Sequence, residues 1–266
     1  MRILILGGGN MGLTFATSFI QGHIATHEQL LILEKSNEKA EELRKLNVGT
    51  VYGEPGDYIK SADLIIVAVK PQDASDLFQR IKPFVDKNQV ILSIMAGVPI
   101  EKISSWLGAP KVVRAMPNLP AQIGIGMTVF TSTSDVTRVE LVTVQNLLNA
   151  TGKTIYVENE DAIDASTAIS GSGPAYVFFY IQTLIESAMN LGFSKAQAEM
   201  LAYQTFRGAI ELYNKYDYSC NEWIAKVSSK GGTTEAAFRT FAEHAAADAL
   251  KAGIRSAYDR AKELSK

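Results

Sequence analysis

Short, uninterrupted apolar runs alternate with amphipathic stretches over the first 160 residues. The apolar runs are 2–6, 30–33, 64–69, 90–94, 112–115 and 127–130. Helical patterns such as SNEKAEELRKL, at 36–46, lie between them. Strands that are apolar throughout must be covered on both faces, and strands separated by helices form βαβ units. The alternation therefore predicts an α/β fold built on a parallel sheet.

The pattern changes after residue 160. From Ala162 onward the sequence predicts helix, with breaks expected at 170–174, 192–194, 217–219 and 228–234. A chain of 266 residues also exceeds the usual length of a single domain. We therefore predict two domains, a sheet domain over 1–160 and an all-helical domain over 161–266.

Composition narrows the class of protein. The net charge is −2, so no basic surplus indicates nucleic acid. The single cysteine, Cys220, excludes an internal disulfide and a cysteine metal cluster, and no metal site is predicted. The longest apolar stretch, 175–185, contains Gln182 and Thr183 and is too short to span a membrane. We expect a cytoplasmic protein that binds neither nucleic acid nor membrane.

The segment GGGNMG follows the first predicted strand and opens a helix. It matches G-x-G-x-x-G: Gly7 permits a tight turn, Gly9 lets a pyrophosphate approach the backbone, and Gly12 allows close helix–strand packing. Asn10 and Met11 begin the helix whose N-terminus faces the phosphates. The alternative is a strand-turn-helix unit that uses glycines only for its turn. The position of the motif, directly after a strand and before a helix, favours a dinucleotide site.

The second predicted strand ends at Glu34, where an acidic residue of this fold would hold the ribose 2′-hydroxyl. Glu34 would repel a 2′-phosphate, whereas the following Lys35 and Ser36 can bind one. Equally, Lys35 can be a solvated charge and Ser36 the N-cap of the next helix. The cofactor is therefore predicted as NADPH or NADH.

Two further strand exits are candidates for cofactor contacts. In AVKPQ, residues Ala68, Val69, Lys70 and Pro71 end one strand, and ligands of open parallel sheets lie beyond such ends. In RAMPNLPA, Asn118 stands between two prolines that stiffen the backbone. An ordinary strand exit and a simple bend are the respective alternatives.

VSSKGGTTEAAF, at 227–238, places two glycines and two threonines before a predicted helix. Unpaired N–H groups at a helix start, approached through glycine, suit an anion. The alternative is a capped helix with Thr233 or Thr234 as N-cap. Both roles are compatible with the residues.

SGSGP, at 170–174, predicts the start of a long helix over 174–191, with Ser172 as cap and Pro174 in the first turn. The helix is apolar nearly all round, which predicts burial against a partner. No Lys, Arg or His occurs between 153 and 195, so this helix carries no cationic proton donor. An iminium substrate needs none, since a hydride adds to its carbon directly.

GGGNMG, AVKPQ, SIMAG (93–97), RAMPNLPA, AISGSGPAYVFF (168–179) and VSSKGGTT (227–234) resemble, in order and spacing, the motifs of pyrroline-5-carboxylate reductases. The resemblance covers essentially the whole chain. It implies reduction of the C=N bond of 1-pyrroline-5-carboxylate to L-proline by NADPH or NADH. It also implies a homodimer, able to assemble into a larger homo-oligomer.

The resemblance assigns roles in the helical region. Thr234 would be catalytic, with its hydroxyl reaching the ring nitrogen. The substrate-binding residues would be Ser229, Gly231, Gly232, Thr233, Thr234 and Ser172.

The chain departs from the family pattern at Lys230, which replaces a usual proline, and at Leu119 and Pro55. The lysine adds a positive charge near the expected carboxylate. Two other classes of function are considered: a 3-hydroxyacid dehydrogenase, which would want a lysine on the long helix, and a non-enzymatic NAD(P)-binding module.

Overall fold

The computed structural model describes residues 1–265. The strands are β1 (Ile3–Leu6), β2 (Leu30–Leu33), β3 (Thr50–Tyr52), β4 (Leu64–Val67), β5 (Val90–Ser93), β6 (Val112–Met116), β7 (Gly126–Ser132) and β8 (Gly152–Tyr156). The helices are α1 (Asn10–Gln21), α2 (Asn37–Leu46), α3 (Pro71–Ile81), α4 (Ile100–Leu107), α5 (Arg138–Asn149), α6 (Asp161–Ser166), α7 (Gly173–Asn190), α8 (Lys195–Lys215), α9 (Cys220–Val227), α10 (Thr233–Glu243) and α11 (Ala246–Leu264). A π-helix, Thr167–Gly171, joins α6 to α7.

The eight strands form one sheet in the order β3-β2-β1-β4-β5-β6-β7-β8. The first six follow the strand order of a doubly wound dinucleotide-binding fold. This confirms the predicted α/β class. The β6–β7 pair is antiparallel, unlike every other pair. The connection between them, 117–125, is too short for the crossover that a parallel pair needs.

Each central strand contributes to two cores. On β1, Ile3 and Ile5 pack into one cluster, while Leu4 and Leu6 pack into the cluster on the opposite face. All four are fully buried. Helices therefore cover both faces, which is why these strands are apolar without alternation.

The chain divides into two compact units. The first comprises Met1–Ser172 together with the residues from Ala257 onward, and the second is Gly173–Ser256. This division differs from the sequence-based boundary at 160 in two places: the residues from Ala257 onward and the segment 161–172 belong to the first unit. That segment belongs to the first unit because α6 packs on β6 and β7.

A buried ion cluster holds α6 against the sheet. Arg114 of β6, 1% exposed, donates to Asp164 Oδ1 at 2.6 Å and to Glu160 Oε1 at 2.8 Å. The hydroxyl of Ser265 donates to the same Asp164 oxygen at 3.0 Å. A paired charge of this kind is costly to break, because removing one partner leaves the other buried and uncompensated.

The second unit is helical, and few of its described residues are buried. Of its described residues, only Ala198 and Ala202, both on α8, are fully enclosed. The predicted break at 170–174 is confined to Ser172, where the π-helix ends, and α7 begins at the next residue. A break that was not predicted separates α10 from α11, where Ala245 adopts φ 49°. Over residues 1–265, no helix is both long and apolar enough to cross a membrane.

Candidate functional site

The glycine turn after β1 has the geometry that a pyrophosphate requires. Gly7 has φ +101°, a conformation that side-chain-bearing residues rarely adopt. A Cβ on Gly12 would lie 1.9 Å from the carbonyl oxygen of Gly7, so the helix packs directly on the turn. A Cβ on Gly9 would meet nothing within 4 Å. The backbone at Gly9 is therefore open to a ligand, at the N-cap of α1.

Two adjoining clefts flank this turn, at the carboxyl ends of β1 and β4 where the strand order reverses. One, of about 300 Å³, includes Gly7, Gly9, Glu34 and Lys35 in its lining. The other, of about 520 Å³, includes Gly9, Asn10, Met11 and Pro71. Ala68, Val69 and Lys70 line both clefts. Most of the predicted cofactor residues are thus gathered around one continuous groove.

Glu34 is buried at the end of β2 and braces the glycine turn. Its Oε2 accepts the N–H of Gly8 at 2.9 Å, and its Oε1 accepts the N–H of Ser36 at 2.8 Å. The side chain therefore ties the turn after β1 to the start of α2. Each oxygen has a second lone pair, which can accept a ribose hydroxyl. The ribose contact stays a prediction, and the bracing is an additional role.

Replacing Glu34 with glutamine should weaken NADH binding about tenfold, since one of the two backbone N–H groups would face an amide NH₂. The loss for NADPH should be smaller, because removing the negative charge relieves repulsion of the 2′-phosphate. Fluorescence titration of both cofactors measures this, with Glu38→Gln on the exposed side of α2 as the matched control. Unchanged affinity for both cofactors would contradict the bracing role.

The residues after Glu34 are engaged in local structure. Ser36 is the N-cap of α2, accepting the N–H of Lys39, as the capping alternative predicted. Lys35 Nζ lies 2.7 Å from Asp73 Oδ1 at the surface. The hydrogen bond and charge of Asp73 raise the pKa of Lys35. Lys39 and Arg80, which were not predicted as site residues, also line the first cleft and are further cations there.

Lys70 and Pro71 start a helix rather than end a strand. β4 stops at Val67, Lys70 is the N-cap of α3 and Pro71 its first residue. Proline suits this position because its missing N–H would be unpaired in any case. Residues 94–96, which follow β5, line the second cleft and were not predicted as site residues. The sequence feature that could have identified them is their position directly after a predicted strand, in the SIMAG motif.

Three predicted cofactor residues are not among the described residues that line either cleft, namely Gly12, Ser36 and Asn118. Asn118 lies in another part of the first unit. Its side chain instead bonds to the backbone of two other segments, at Met127 and Ser170. Gly12 contributes by allowing α1 to pack directly against the Gly7 carbonyl.

The loop 228–232 leads into α10 in the second unit. Gly231 has φ +74°, and its N–H is accepted by the carboxylate of Glu235. The N–H of Gly232 is accepted by the carbonyl of Ser229 at 2.9 Å. A carboxylate therefore already lies on the backbone of this loop, supplied by the protein itself.

The alternative interpretation, in which Thr233 or Thr234 caps this helix, is wrong. The N-cap is Gly232, and in the described chain no side chain caps α10. Thr233 and Thr234 are its first two residues, so their hydroxyls are not used for capping. Ser172 is the C-cap of the π-helix, and its backbone (φ −82°, ψ −18°) lacks the extended conformation expected of an N-cap of α7.

The fold and the groove together define a dinucleotide-binding protein with a Rossmann-type domain. Comparison with protein families agrees. Residues 2–97 match the family described as NADP oxidoreductase, coenzyme F420-dependent. Residues 160–264 match the family described as pyrroline-5-carboxylate reductase dimerisation.

Individual relatives extend this match over the whole chain. A pyrroline-5-carboxylate reductase of Aquifex aeolicus is 38% identical over 88% of this chain and 86% of its own. That of Pseudomonas aeruginosa is 32% identical over 99% of this chain and 97% of its own. The chain belongs to the pyrroline-5-carboxylate reductase family.

Solved structures agree with this assignment. The pyrroline-5-carboxylate reductase of Coxiella burnetii superposes with a TM-score of 0.90 at 30% identity, over 100% of this chain and 98% of that one. The pyrroline carboxylate reductase of Plasmodium falciparum, solved with NADP bound, has a TM-score of 0.90 at 25% identity, with the same coverage.

Proposed function

We propose that the protein reduces the C=N bond of 1-pyrroline-5-carboxylate to give L-proline, with NADPH or NADH as reductant. The observation that carries the proposal is similarity to reductases of this name over nearly the full length of the chain. The dehydrogenase alternative is disfavoured because the long helix α7 contains no lysine. The sheet domain would bind the cofactor, and the helical domain would bind the substrate and dimerise.

The groove beside β1 and β4 fits a nicotinamide dinucleotide. Gly9 leaves room for the pyrophosphate, and Glu34, Lys35 and Lys39 line the first cleft. Glu34 would face the ribose, and Lys35 and Lys39, with the neighbouring Ser36, would supply groups for a 2′-phosphate. The bound cofactor supplies the hydride that reduces the imine carbon. The protein's own part here is to hold and orient the cofactor, which makes the reaction effectively intramolecular.

The loop 228–232 and the start of α10 would hold the substrate carboxylate. The N–H of Gly231 already donates to a carboxylate, that of Glu235, so its direction and polarity suit an anion. Substrate would displace Glu235 from that N–H. Exposed Lys230 adds a positive charge beside the loop.

Thr234 would contact the ring nitrogen through its hydroxyl. Since the imine nitrogen can itself be protonated, the reaction needs no strong acid, only a group that orients the nitrogen and its proton. Thr234 is half-buried in the first turn of α10. Ser172 would also contact the substrate.

The protein would act as a homodimer. Helix α7 has no fully buried residue, and its Phe178 and Phe179 are 60% and 64% exposed. Met200 and Ile210 of α8 are similarly exposed. Exposed apolar surface of this extent marks an interaction face, and the matching family is described by its dimerisation. Association into a larger homo-oligomer is an extension of the same proposal.

Oxidation of NADPH and of NADH, followed separately with 1-pyrroline-5-carboxylate, tests the proposed function. We expect turnover with the imine and none with a 3-oxoacid control. The ratio of the two cofactor rates reports the net effect of Glu34 against Lys35 and Lys39. Tight cofactor binding without turnover of the imine would overturn the assignment and favour a binding module.

A further inference from the structure

Asn118 connects three segments that are distant in sequence. Its Nδ2 donates to the carbonyl of Ser170 at 3.0 Å, and its Oδ1 accepts the N–H of Met127 at 2.8 Å. Met127 belongs to β7, and Ser170 to the π-helix that precedes α7. One side-chain amide thus holds both the sheet and the entry to the long helix.

The Ser170 carbonyl has a particular need for this donor. In an α-helix it would accept the N–H of the residue four positions later, which is Pro174. Proline has no N–H, so that helical partner is missing. The side chain of Asn118 supplies a donor in its place. A polar carbonyl left without any partner would cost free energy comparable to a lost hydrogen bond.

Packing fixes the same turn from another side. A Cβ on Gly171 would lie 2.8 Å from the Cε of Met116, so the turn rests closely on the end of β6. The N–H of Ser172 donates to the carbonyl of Thr167 at 2.8 Å, the five-residue spacing of a π-helix. Single π turns within helices recur at functional sites. Here the turn sets the position of Ser172.

We propose that Asn118 is a positioning residue that fixes the turn 170–173, and that it acts on the imine substrate through this turn rather than by contacting the cofactor. This rests on the proposed function, in which Ser172 contacts the substrate. Both bonds of the amide are made within the first unit, and Asn118 lies outside the lining of the two cofactor clefts. The residue therefore contributes geometry to the site.

The variant Asn118→Asp distinguishes the hydrogen bond to Ser170 from the hydrogen bond to Met127. The variant retains an acceptor for the Met127 N–H, but it has no donor for the Ser170 carbonyl and places a negative charge beside it. The matched control is Asn149→Asp, because the Asn149 side chain accepts from Thr154 Oγ1 and aspartate can do the same. If the aspartate variant fails to fold, the same measurements are made on Asn118→Ser, whose side chain is neutral and smaller.

Three measurements are made on each variant: NADPH affinity by fluorescence, kcat/KM for the imine, and hydrogen exchange over 167–176. For Asn118→Asp we expect kcat/KM to fall about 10- to 100-fold, as for a misplaced contact, with NADPH affinity within about twofold. Exchange over 167–176 should rise relative to the Asn149 control. A loss of NADPH affinity with unchanged imine constants would overturn the proposal in favour of a cofactor contact.

Unchanged exchange and unchanged kcat/KM would also overturn it. Failure of the proposed function is a separate result, since it appears as absence of imine turnover by the unaltered chain. In that case the exchange measurement alone decides whether Asn118 holds the turn.

Discussion

Replacing Gly9 with valine is expected to abolish NADPH and NADH binding while leaving the fold intact. The backbone of Gly9 (φ −70°, ψ −173°) suits any residue, and a Cβ there would meet nothing within 4 Å. The added side chain would project into the space that both clefts share, where the pyrophosphate must approach. We expect affinity to fall at least about 100-fold, equivalent to about 2.7 kcal/mol.

Fluorescence titration with each cofactor and a thermal melt give the two readouts. Gly253→Val, at an exposed glycine of α11 that also has nothing within 4 Å, is the matched control and should bind both cofactors normally. Gly12→Ala provides the contrast. Its Cβ would lie 1.9 Å from a backbone oxygen, so we expect instability rather than a folded protein that cannot bind. Retained binding in Gly9→Val would place the cofactor elsewhere.

The sheet domain was predictable because its strands are apolar on both faces. Strands such as LLIL at 30–33 match the observed bounds, since burial on two sides permits no polar residue. The edge strands were missed for the opposite reason. β3 is only three residues long, and β8 exposes Lys153, Ile155 and Tyr156, so neither shows a continuous apolar run.

The turn 170–173 shows a different limit of sequence reasoning. Glycine, serine and proline together predict a break, and local propensity favours Ser172 as a cap. The structure confines the interruption to Ser172, and Asn118 and Met116, more than fifty residues earlier, contact the π turn that precedes it. Such long-range partners leave no local signal in a single sequence. The same applies to Glu34, whose backbone partners are set by the fold.

In the second unit, the helix at 233–243 was predictable but its first residue was not. Threonine is a favoured cap, yet Gly232 takes that position and Glu235 reaches back to Gly231. This arrangement leaves the threonine hydroxyls available, which a capped helix would not. The structural detail therefore strengthens the functional interpretation of Thr234 over the capping alternative.

Thr234→Ala is expected to lower kcat for 1-pyrroline-5-carboxylate about 10- to 100-fold, since a hydrogen bond of roughly 1.5–3 kcal/mol to a charged ring nitrogen would be lost. NADPH affinity should stay within about twofold, because Thr234 and the cofactor groove belong to different units. The melting temperature should change little, because Thr234 follows the N-cap and does not cap the helix.

Two further substitutions isolate the hydroxyl from the shape of the side chain. Thr234→Ser keeps the hydroxyl and should retain most of the turnover, whereas Thr234→Val keeps the shape and should be as impaired as alanine. Steady-state kinetics with saturating NADPH separate kcat from the KM for the imine. Equal activity of the serine and valine variants would show that the hydroxyl takes no part in the reaction. A parallel loss of NADPH affinity would instead assign Thr234 a structural role.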